Sequence, residues 1–402
     1  MWLVCILHLC NLTAFKSNMM LVSLYAIELG AGPVAVGTLF ATFALAPIGL
    51  GVYAGRLTDS VGLRRPMLIG SVGMAAALGI PWLIPGLASL FASAALVGGA
   101  YVFYHVAIQS MVGALSTVET RARNFANFSL IATAPYFVGP LFTGFVIERS
   151  GYATAYAALA LLPVIATAVL IMAGGAIPKT QRRSLEQKAA PSTADLLRNK
   201  PLFSMALTSG LALTSVDLFQ FYAPIHAHGA GLSPTEIGVV LSLYAVAAVG
   251  VRLVMSQLVA RAGGEERLLV LALALGMAAY FAFPLFTHVA LLGAMSFLLG
   301  AGLGCAQPLS MMRTYAYSPP GRSGEGLGLR LTVNNAAHLA LPFGFGFVTS
   351  AFGLLLVFWA NALILAGGAI TTARAARGAL PEDPGTGDAA ASLTPASPQT
   401  TR

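Results

Sequence analysis

Long runs of apolar residues, separated by short polar segments, make up this chain as far as residue 372. A run of about 20 apolar residues crosses a hydrocarbon core of roughly 30 Å as an α-helix, which satisfies its own backbone hydrogen bonds. Twelve such runs predict twelve transmembrane helices. The predicted spans are 2–28, 34–55, 67–86, 89–113, 125–147, 152–175, 201–227, 235–259, 268–286, 289–312, 327–349 and 352–372.

This pattern repeats itself at a spacing of 201 residues. GPVAVG at 32–37 aligns with SPTEIG at 233–238, and GRLTDSVGLRRPML at 55–68 aligns with SQLVARAGGEERLL at 256–269. After one inserted residue, a Gly-Pro pair in the fifth span aligns with a Leu-Pro pair in the eleventh. The repeat predicts an all-α membrane protein in which twelve helices form two pseudo-symmetric six-helix bundles.

Two polar segments interrupt or follow the apolar spans. The stretch 177–200 mixes charges of both signs with two prolines, and we expect a cytoplasmic linker there. Beyond Arg377 the chain is rich in Pro, Gly, Ala, Ser and Thr and has little to bury, which favours disorder. The predicted domains are an N-terminal bundle at 1–175, a linker at 176–200, a C-terminal bundle at 201–372 and a disordered cytoplasmic tail at 373–402.

Composition agrees with a membrane protein. Hydrophobic residues make up 57% of the chain and charged residues 9%, against a usual charged share of about 25% in soluble domains. Arginines are concentrated in the loops on one side of the predicted membrane, and the opposite loops carry only Arg149. This asymmetry predicts that both termini are cytoplasmic, and it explains the sequence pI of about 9.6 without a nucleic-acid partner.

Several function classes find no support in the sequence. The three cysteines all fall in predicted spans and lack metal-ligand spacing, so neither a disulfide framework nor a metal site is indicated. No phosphate-binding glycine motif precedes a predicted helix, and no hydrolase constellation is present. We therefore expect no enzyme activity and no cofactor, and any transport must draw on a gradient.

Lys16 and Asp217 are opposite charges deep in the first span of each repeat, and the repeat aligns them with each other. Each lies roughly 22 Å from the cytoplasmic end of its span at about 1.5 Å per residue. An isolated charge at this depth costs at least about 2.5 to 3.5 kcal/mol, and such residues usually mark a transport pathway. We expect Asp217 to gain and lose a proton while Lys16 binds an anionic substrate group or keeps Asp217 ionised. The alternative is a static ion pair.

Further polar side chains lie on spans 4, 7, 8, 10 and 11, where a water-filled central cavity would need them. The alternative for each taken singly is hydrogen-bonded glue between helices, worth about 0.6 kcal/mol on average. Five histidines are scattered without ligand spacing, and we assign them no binding role: His8, His226, His228, His288 and His338. The predicted substrate-binding residues are Lys16, His105, Gln109, Asp217, Gln220, Tyr222, Arg252, Gln307, Arg330 and Asn334.

Two motifs indicate a gated transporter. The segment 55–65, GRLTDSVGLRR, resembles the loop signature of the major facilitator superfamily, with Ser60 in place of an arginine. The fifth span partly resembles an exporter signature of that superfamily, but its fourth span lacks the arginine of many antiporters. Topogenic charge and generic helix packing are the respective alternatives. The predicted gating residues are Gly55, Asp59, Gly62, Arg64, Arg65, Gly139, Pro140 and Gly144.

The resemblance covers residues 1–372 and implies a transporter in a bacterial-type inner membrane that alternates between inward and outward openings. The leading expectation is proton-coupled efflux of a small organic molecule by antiport. Proton-symport uptake of an organic anion is the alternative, and a non-transporting receptor or scaffold is the third interpretation. The excess of cationic cavity residues favours an anionic or zwitterionic substrate. The expected partners are this substrate, protons and the lipid bilayer, and the family implies a monomer.

Overall fold

The computed structural model describes residues 2–116, 124, 128, 130–173, 177, 198–317, 329–330, 332–334, 336–337 and 353–378. Within these ranges the chain is built from helices, of which nine are long and apolar enough to cross a membrane. Most of the predicted linker, tail and eleventh span lies outside the described residues. The described residues between 329 and 337 are helical. The helices are α1 (Trp2–Glu28), α2 (Pro33–Val61), α3 (Arg64–Leu83), α4 (Leu87–Ala114), α5 (Ala134–Met172), α6 (Lys200–Gly229), α7 (Pro234–Leu253), α8 (Met255–Ala262), α9 (Glu265–Ala282), α10 (Val289–Tyr317) and α11 (Leu354–Gly378), with a 3₁₀ turn at Phe283–Leu285.

Several helix boundaries differ from the predicted ones, and α11 continues to Gly378 rather than ending at 372. Helix α2 continues to Val61 rather than ending at 55, so the first half of the loop signature forms its last two turns. The predicted span 235–259 is divided at Val254 into α7 and the short helix α8. In α2 polar residues follow the apolar run without a break in helical backbone, because hydrogen bonding along the helix does not depend on the lipid environment. At Val254 the backbone leaves helical geometry, with φ −105° and ψ 12°.

Helix α5 contains both the fifth and the sixth predicted spans in 39 residues. They meet at Gly151, whose φ of 80° is open to glycine but strained for other residues. Before this point Gly139 lies against the middle of α1, and just after it Tyr152 stacks on Tyr25 near the end of α1. Leu170 then packs beside the start of α1. The chain therefore reverses direction at Gly151, and the two spans are separate crossings joined without a loop.

Packing within the second repeat reproduces packing within the first. Helix α4 packs against α2 and α3, and α10 packs against α7 and α9. A Cβ at Gly98 would meet the carbonyl oxygen of Phe43, and a Cβ at Gly300 would meet that of Tyr244. Phe43 and Tyr244 are 201 residues apart, whereas the two glycines are 202 apart. The inserted residue therefore lies in the second repeat, between Tyr244 and Gly300.

The two repeats touch each other through α1 against α6 and α5 against α7. The α5–α7 contact is reciprocal at the backbone. A Cβ added to Gly144 would meet the carbonyl oxygen of Pro234, and one added to Gly238 would meet that of Pro140. Small residues let two helices approach this closely, so the Gly-Pro pattern of the fifth span has a packing role here.

Hydrogen bonds extend this contact along both helices. Ser242 Oγ donates to the carbonyl oxygen of Phe137 at 2.8 Å. Toward the start of α7, the backbone N–H of Thr235 donates to Glu148 Oε2 at 3.2 Å. A carboxylate at a helix N-terminus is favoured by the free N–H groups and by the helix dipole. The α5–α7 face thus joins the repeats over most of its length.

We predict that Gly238→Ala destabilises the protein, because the added methyl group lies 2.5 Å from the Pro140 oxygen unless the helices separate. The melting temperature in detergent measures the effect, with size-exclusion chromatography as the readout of the folded fraction after heating. Gly250→Ala is the matched control, since it lies on the same helix with no atom within 4 Å of its Cβ position. The control should be neutral or stabilised by up to about 1 kcal/mol, because alanine favours helix over glycine. Equal melting temperatures for the two variants would contradict this interpretation.

Candidate functional site

Lys16 on α1 and Asp217 on α6 form an ion pair between the two repeats. Lys16 Nζ donates a hydrogen bond to Asp217 Oδ1. The side chains are 7% and 11% exposed, so both charges are withdrawn from solvent. A buried charge is tolerated when it is paired and hydrogen-bonded. The structure therefore joins the two charges that the repeat aligned.

Aromatic rings surround the ammonium group of Lys16. Its Nζ lies 5.4 Å from the ring centre of Phe15 and 5.1 Å from that of Tyr136 on α5. Tyr101 on α4 stacks on Phe15 with ring centres 3.9 Å apart. A cation above an aromatic face gains about 0.5 to 2 kcal/mol, more when it is desolvated. The site thus compensates the lysine charge in two ways, by a carboxylate and by ring faces.

Buried polar side chains flank the ion pair on α1 and α6. Gln220 is 1% exposed, and its Nε2 has no partner among the described residues. Asn18, two residues beyond Lys16, is fully buried, and neither atom of its amide meets a described partner. Tyr222 is also buried and packs edge-on against Phe40 of α2. Unpaired buried amides are costly, and they are the groups that a polar ligand or ordered water satisfies.

Arg252 reaches across the repeats near the end of α7. Its Nε donates to the carbonyl oxygen of Gly304 at 3.0 Å, and its Nη1 donates to Thr133 Oγ1 at 2.6 Å. Thr133 immediately precedes α5. Arg252 therefore bonds both to its own repeat, at Gly304, and to the other repeat, at Thr133.

Arg330 is buried beside α10 and is 6% exposed. Its Nη2 lies 3.3 Å from Ser310 Oγ and 3.4 Å from the carbonyl oxygen of Gln307, and both partners are neutral. Asn334, one turn further, is buried with its Oδ1 unpartnered among the described residues, and its backbone lies against Gly210 of α6. Arg330 therefore meets the backbone of Gln307 from span 10, whereas Asn334 lies against α6.

His105 and Gln109 contact each other on α4, as their spacing of four residues predicts. The amide Nε2 of Gln109 lies 3.0 Å from His105 Nε2. Both side chains are half-buried. Tyr101 stacks on His105 with ring centres 5.0 Å apart, and it also stacks on Phe15 next to Lys16. One aromatic residue thus separates this polar pair from the ion pair.

Within the described residues, the loop signature contributes a turn after α2 and a contact with the end of α5. Gly62 adopts φ 85°, which makes the tight turn between α2 and α3. Arg64 Nη2 donates to the carbonyl oxygen of Ile171 at 3.3 Å, at the C-terminal end of α5. A cation is favoured there by the helix dipole. Arg65 is exposed, and the side chain of Asp59 lies outside the described residues.

In the second repeat, a charged cluster occupies the equivalent end of the helices. Arg313 on α10 pairs with Glu266 at the start of α9, and Glu265 lies 3.9 Å away. The hydroxyl of Tyr317 bonds to Glu266. Asn199 in turn donates from Nδ2 to the carbonyl oxygen of Tyr317 at 3.3 Å, which ties the start of α6 to the cluster.

Sequence reasoning missed the aromatic residues around Lys16 and the inter-repeat role of Thr133. An aromatic residue in an apolar span gives no sign of whether it faces lipid, protein or a cavity. Thr133 lies inside the predicted span 125–147, where a threonine gives no sign of which helix it faces. The signal that remained was spacing, since Phe15 precedes Lys16 directly and Tyr136 lies one turn before the Gly-Pro pair.

Comparison with known proteins decides the family. The family model described as Major Facilitator Superfamily matches residues 4–342, and it matches again over 231–400. The chain belongs to the major facilitator superfamily. It is therefore a membrane-spanning transporter rather than an enzyme.

Other members of the superfamily have similar sequences or structures. Multidrug resistance protein 2 of Bacillus subtilis (strain 168) is 22% identical over 254 residues, which are 60% of this chain and 62% of that relative's length. A peptide transporter POT structure has a TM-score of 0.74 at 16% identity and covers 94% of each chain. The nucleoside transporter NupG has a TM-score of 0.73 at 13% identity, over 93% of this chain and 99% of its own. The structural likeness shows the transporter fold.

We predict that breaking the ion pair from one side destabilises this transporter. Lys16→Met or Asp217→Leu alone should cost about 3 to 5 kcal/mol, because each leaves an uncompensated buried charge. The double variant Lys16→Met/Asp217→Leu should recover most of that loss, since no bare charge remains. Thermal unfolding of the four proteins in one detergent forms a double-mutant cycle. Additive losses would mean that the two side chains do not interact.

Proposed function

We propose that this protein is a secondary active transporter that exports a small organic molecule in exchange for protons, by alternating access. In this proposal residues 1–175 and 201–372 are two six-helix bundles joined by a cytoplasmic linker at 176–200. The tail is disordered beyond Gly378, where α11 ends, both termini are cytoplasmic, and the protein acts as a monomer in the inner membrane.

The observation that carries the proposal is the buried Lys16–Asp217 pair between the repeats. Asp217 is the only acidic residue of the sequence that lies far from the ends of a predicted span. If a carboxylate carries protons through the membrane interior, that carboxylate is Asp217. Protonation of Asp217 would break the ion pair, and this would loosen the α1–α6 contact between the bundles.

Export is supported by two weaker features. The relative from Bacillus subtilis is named a multidrug resistance protein, and the fifth span carries the partial exporter pattern Gly139, Pro140 and Gly144. Pro140 and Gly144 form the close α5–α7 contact between the repeats, whereas Gly139 lies against Ser17 of α1. A rigid contact of this kind would seal one side of the pathway while the other opens. The gating role of Gly55, Asp59, Gly62, Arg64 and Arg65 belongs to the same proposal.

Uptake of an organic anion together with protons is the second candidate, and Arg330 favours it. Among the described residues the Arg330 guanidinium meets only the neutral oxygens of Gln307 and Ser310. A buried cation without a carboxylate partner attracts an anionic group. In this candidate a carboxylate or phosphate of the substrate would complete the charge balance of the second bundle.

The test is substrate-evoked proton movement in proteoliposomes that contain a pH-sensitive dye. We expect a proton signal in the wild type and at least a tenfold smaller one in Asp217→Asn, because the amide cannot exchange a proton. Organic acids, zwitterions and drug-like bases are screened as substrates. Movement of protons opposite to substrate supports antiport, and movement with substrate supports symport.

Glu236→Gln is the matched control, since it removes a carboxylate at the exposed start of α7. The control should retain the wild-type proton signal. Substrate flux without any proton signal, equal in the wild type and Asp217→Asn, would reduce the ion pair to a structural contact and refute proton coupling.

A further inference from the structure

A second polar cluster lies in the first repeat, between the ion pair and the end of the molecule where α1 begins. His8 is about 12 Å before Lys16 along α1, and His105 is about 14 Å from the end of α4, at 1.5 Å per residue. Their ring centres are 6.4 Å apart. His8 is 1% exposed, whereas His105 is half-buried. Two imidazoles thus face each other on the side of the membrane that we propose to be cytoplasmic.

The surroundings of His8 hold a polar atom that needs a partner. His8 stacks on Phe128 with ring centres 4.1 Å apart, and its Nδ1 is buried without a partner among the described residues. Neighbouring Asn11 has an unpartnered buried Oδ1. Buried polar groups of native proteins are almost always paired with protein or ordered water. This cluster is therefore suited to hold water or a proton.

The same place in the second repeat carries a permanent charge. With the register of 201 residues at α1 and 202 residues after Gly98, His8 corresponds to Ser209, His105 to Gln307 and Phe128 to Arg330. Arg330 bonds to Gln307 there, as described above. One repeat therefore has a guanidinium in this position, and the other has imidazoles that become cationic only when they are protonated.

Gln109 can bond to His105 in either protonation state. Its carboxamide has a donor and an acceptor at nearly the same place, so a rotation of the amide satisfies a neutral or a protonated imidazole nitrogen. A carboxylate in its place would hold the imidazole charged. The pairing of a half-buried histidine with an amide favours reversible titration over a fixed charge.

We propose that His105, supported by His8 and Gln109, is a second proton-binding site of this transporter, on the cytoplasmic side of the Lys16–Asp217 pair. One proton occupies the imidazole pair at a time, because two neighbouring imidazolium groups repel each other in an apolar environment. It resides on the more accessible His105. Tyr101, which stacks on both Phe15 and His105, connects this site to the ion pair.

Other titratable groups on the neighbouring elements set the context. From α1 these are His8, Cys10 and Lys16, and on α4 itself they are Tyr101 and Tyr104. Helix α3 meets Tyr104 through the backbone of Gly70, and α2 brings Tyr53 against Phe103 on another face of α4. Among the described residues, Lys16 is the formal charge that Phe15 and Tyr101 link to His105. Its repulsion is compensated while Asp217 is ionised and is felt when Asp217 is protonated.

The direct test is NMR of the full-length protein in lipid nanodiscs, with histidine labelled by nitrogen-15. The His105 resonance is identified by its loss in His105→Gln and by its retention in His288→Gln, which changes an exposed histidine at the start of α10. We expect the His105 imidazole to titrate reversibly between about pH 5 and 8. In Asp217→Asn the midpoint should move to lower pH, because the Lys16 charge is uncompensated. An imidazole that keeps one protonation state throughout this range would overturn the proposal.

Transport gives the second readout, and this part rests on the proposed function. His105→Gln should lower the substrate-evoked proton signal at least tenfold and flatten its pH dependence. Gln109→Leu keeps the histidine and removes its amide partner. It should shift the His105 titration midpoint, so the proposal can be tested even if His105→Gln fails to fold. An unchanged proton signal in His105→Gln would overturn the second site alone. If the wild type moves no protons with substrate but His105 titrates as expected, proton-coupled transport is refuted and the proton-binding site stands.

Discussion

The buried ion pair between Lys16 and Asp217 is the interaction on which the arrangement of the two repeats depends. Each charge alone would be costly at this depth of the membrane, and each repeat supplies only one of them. The charges are therefore stable only while α1 and α6 face each other. Around this contact the α5–α7 face brings backbone against backbone at Gly144 and Gly238. A change in the ion pair thus acts on the same interface that an alternating transporter must open.

Polar side chains accompany the ion pair in both directions along the helices. On one side of Lys16, the rings of Phe15 and Tyr101 lead to His105 and Gln109. On α6, Gln220 and Tyr222 lie within two turns of Asp217 and are fully buried. Polar groups therefore lie on both sides of the ion pair along these helices. Such groups are what a pathway for protons or a polar substrate requires.

Much of this arrangement could be predicted from the sequence, because the 201-residue repeat fixes which residues occupy equivalent places. It aligns Lys16 with Asp217, and hydropathy locates the helices that carry them. The turn at Gly151 lies between the predicted spans 125–147 and 152–175, but the sequence does not show that helical backbone continues through 148–150 up to that glycine. The bond from Arg252 to Thr133 depends on how the repeats face each other, and no local pattern encodes that. Ligand spacing along the chain indicates no binding role for His8, because its neighbour His105 lies on a different helix.

Charge balance at the ion pair links the substrate to the direction of proton movement. An anion that binds Lys16 leaves Asp217 without its counterion, so the site stays neutral only if Asp217 takes up a proton. Anion and proton then travel together. A cation that binds Asp217 displaces the Lys16 ammonium, and neutrality is restored when a proton leaves, so cation and proton travel in opposite directions. A zwitterion can satisfy both side chains without any proton, which would place the coupling on another group such as His105. The net charge of the transported molecule therefore determines which residue must titrate, because no state of the cycle leaves a bare charge in the membrane interior at low cost.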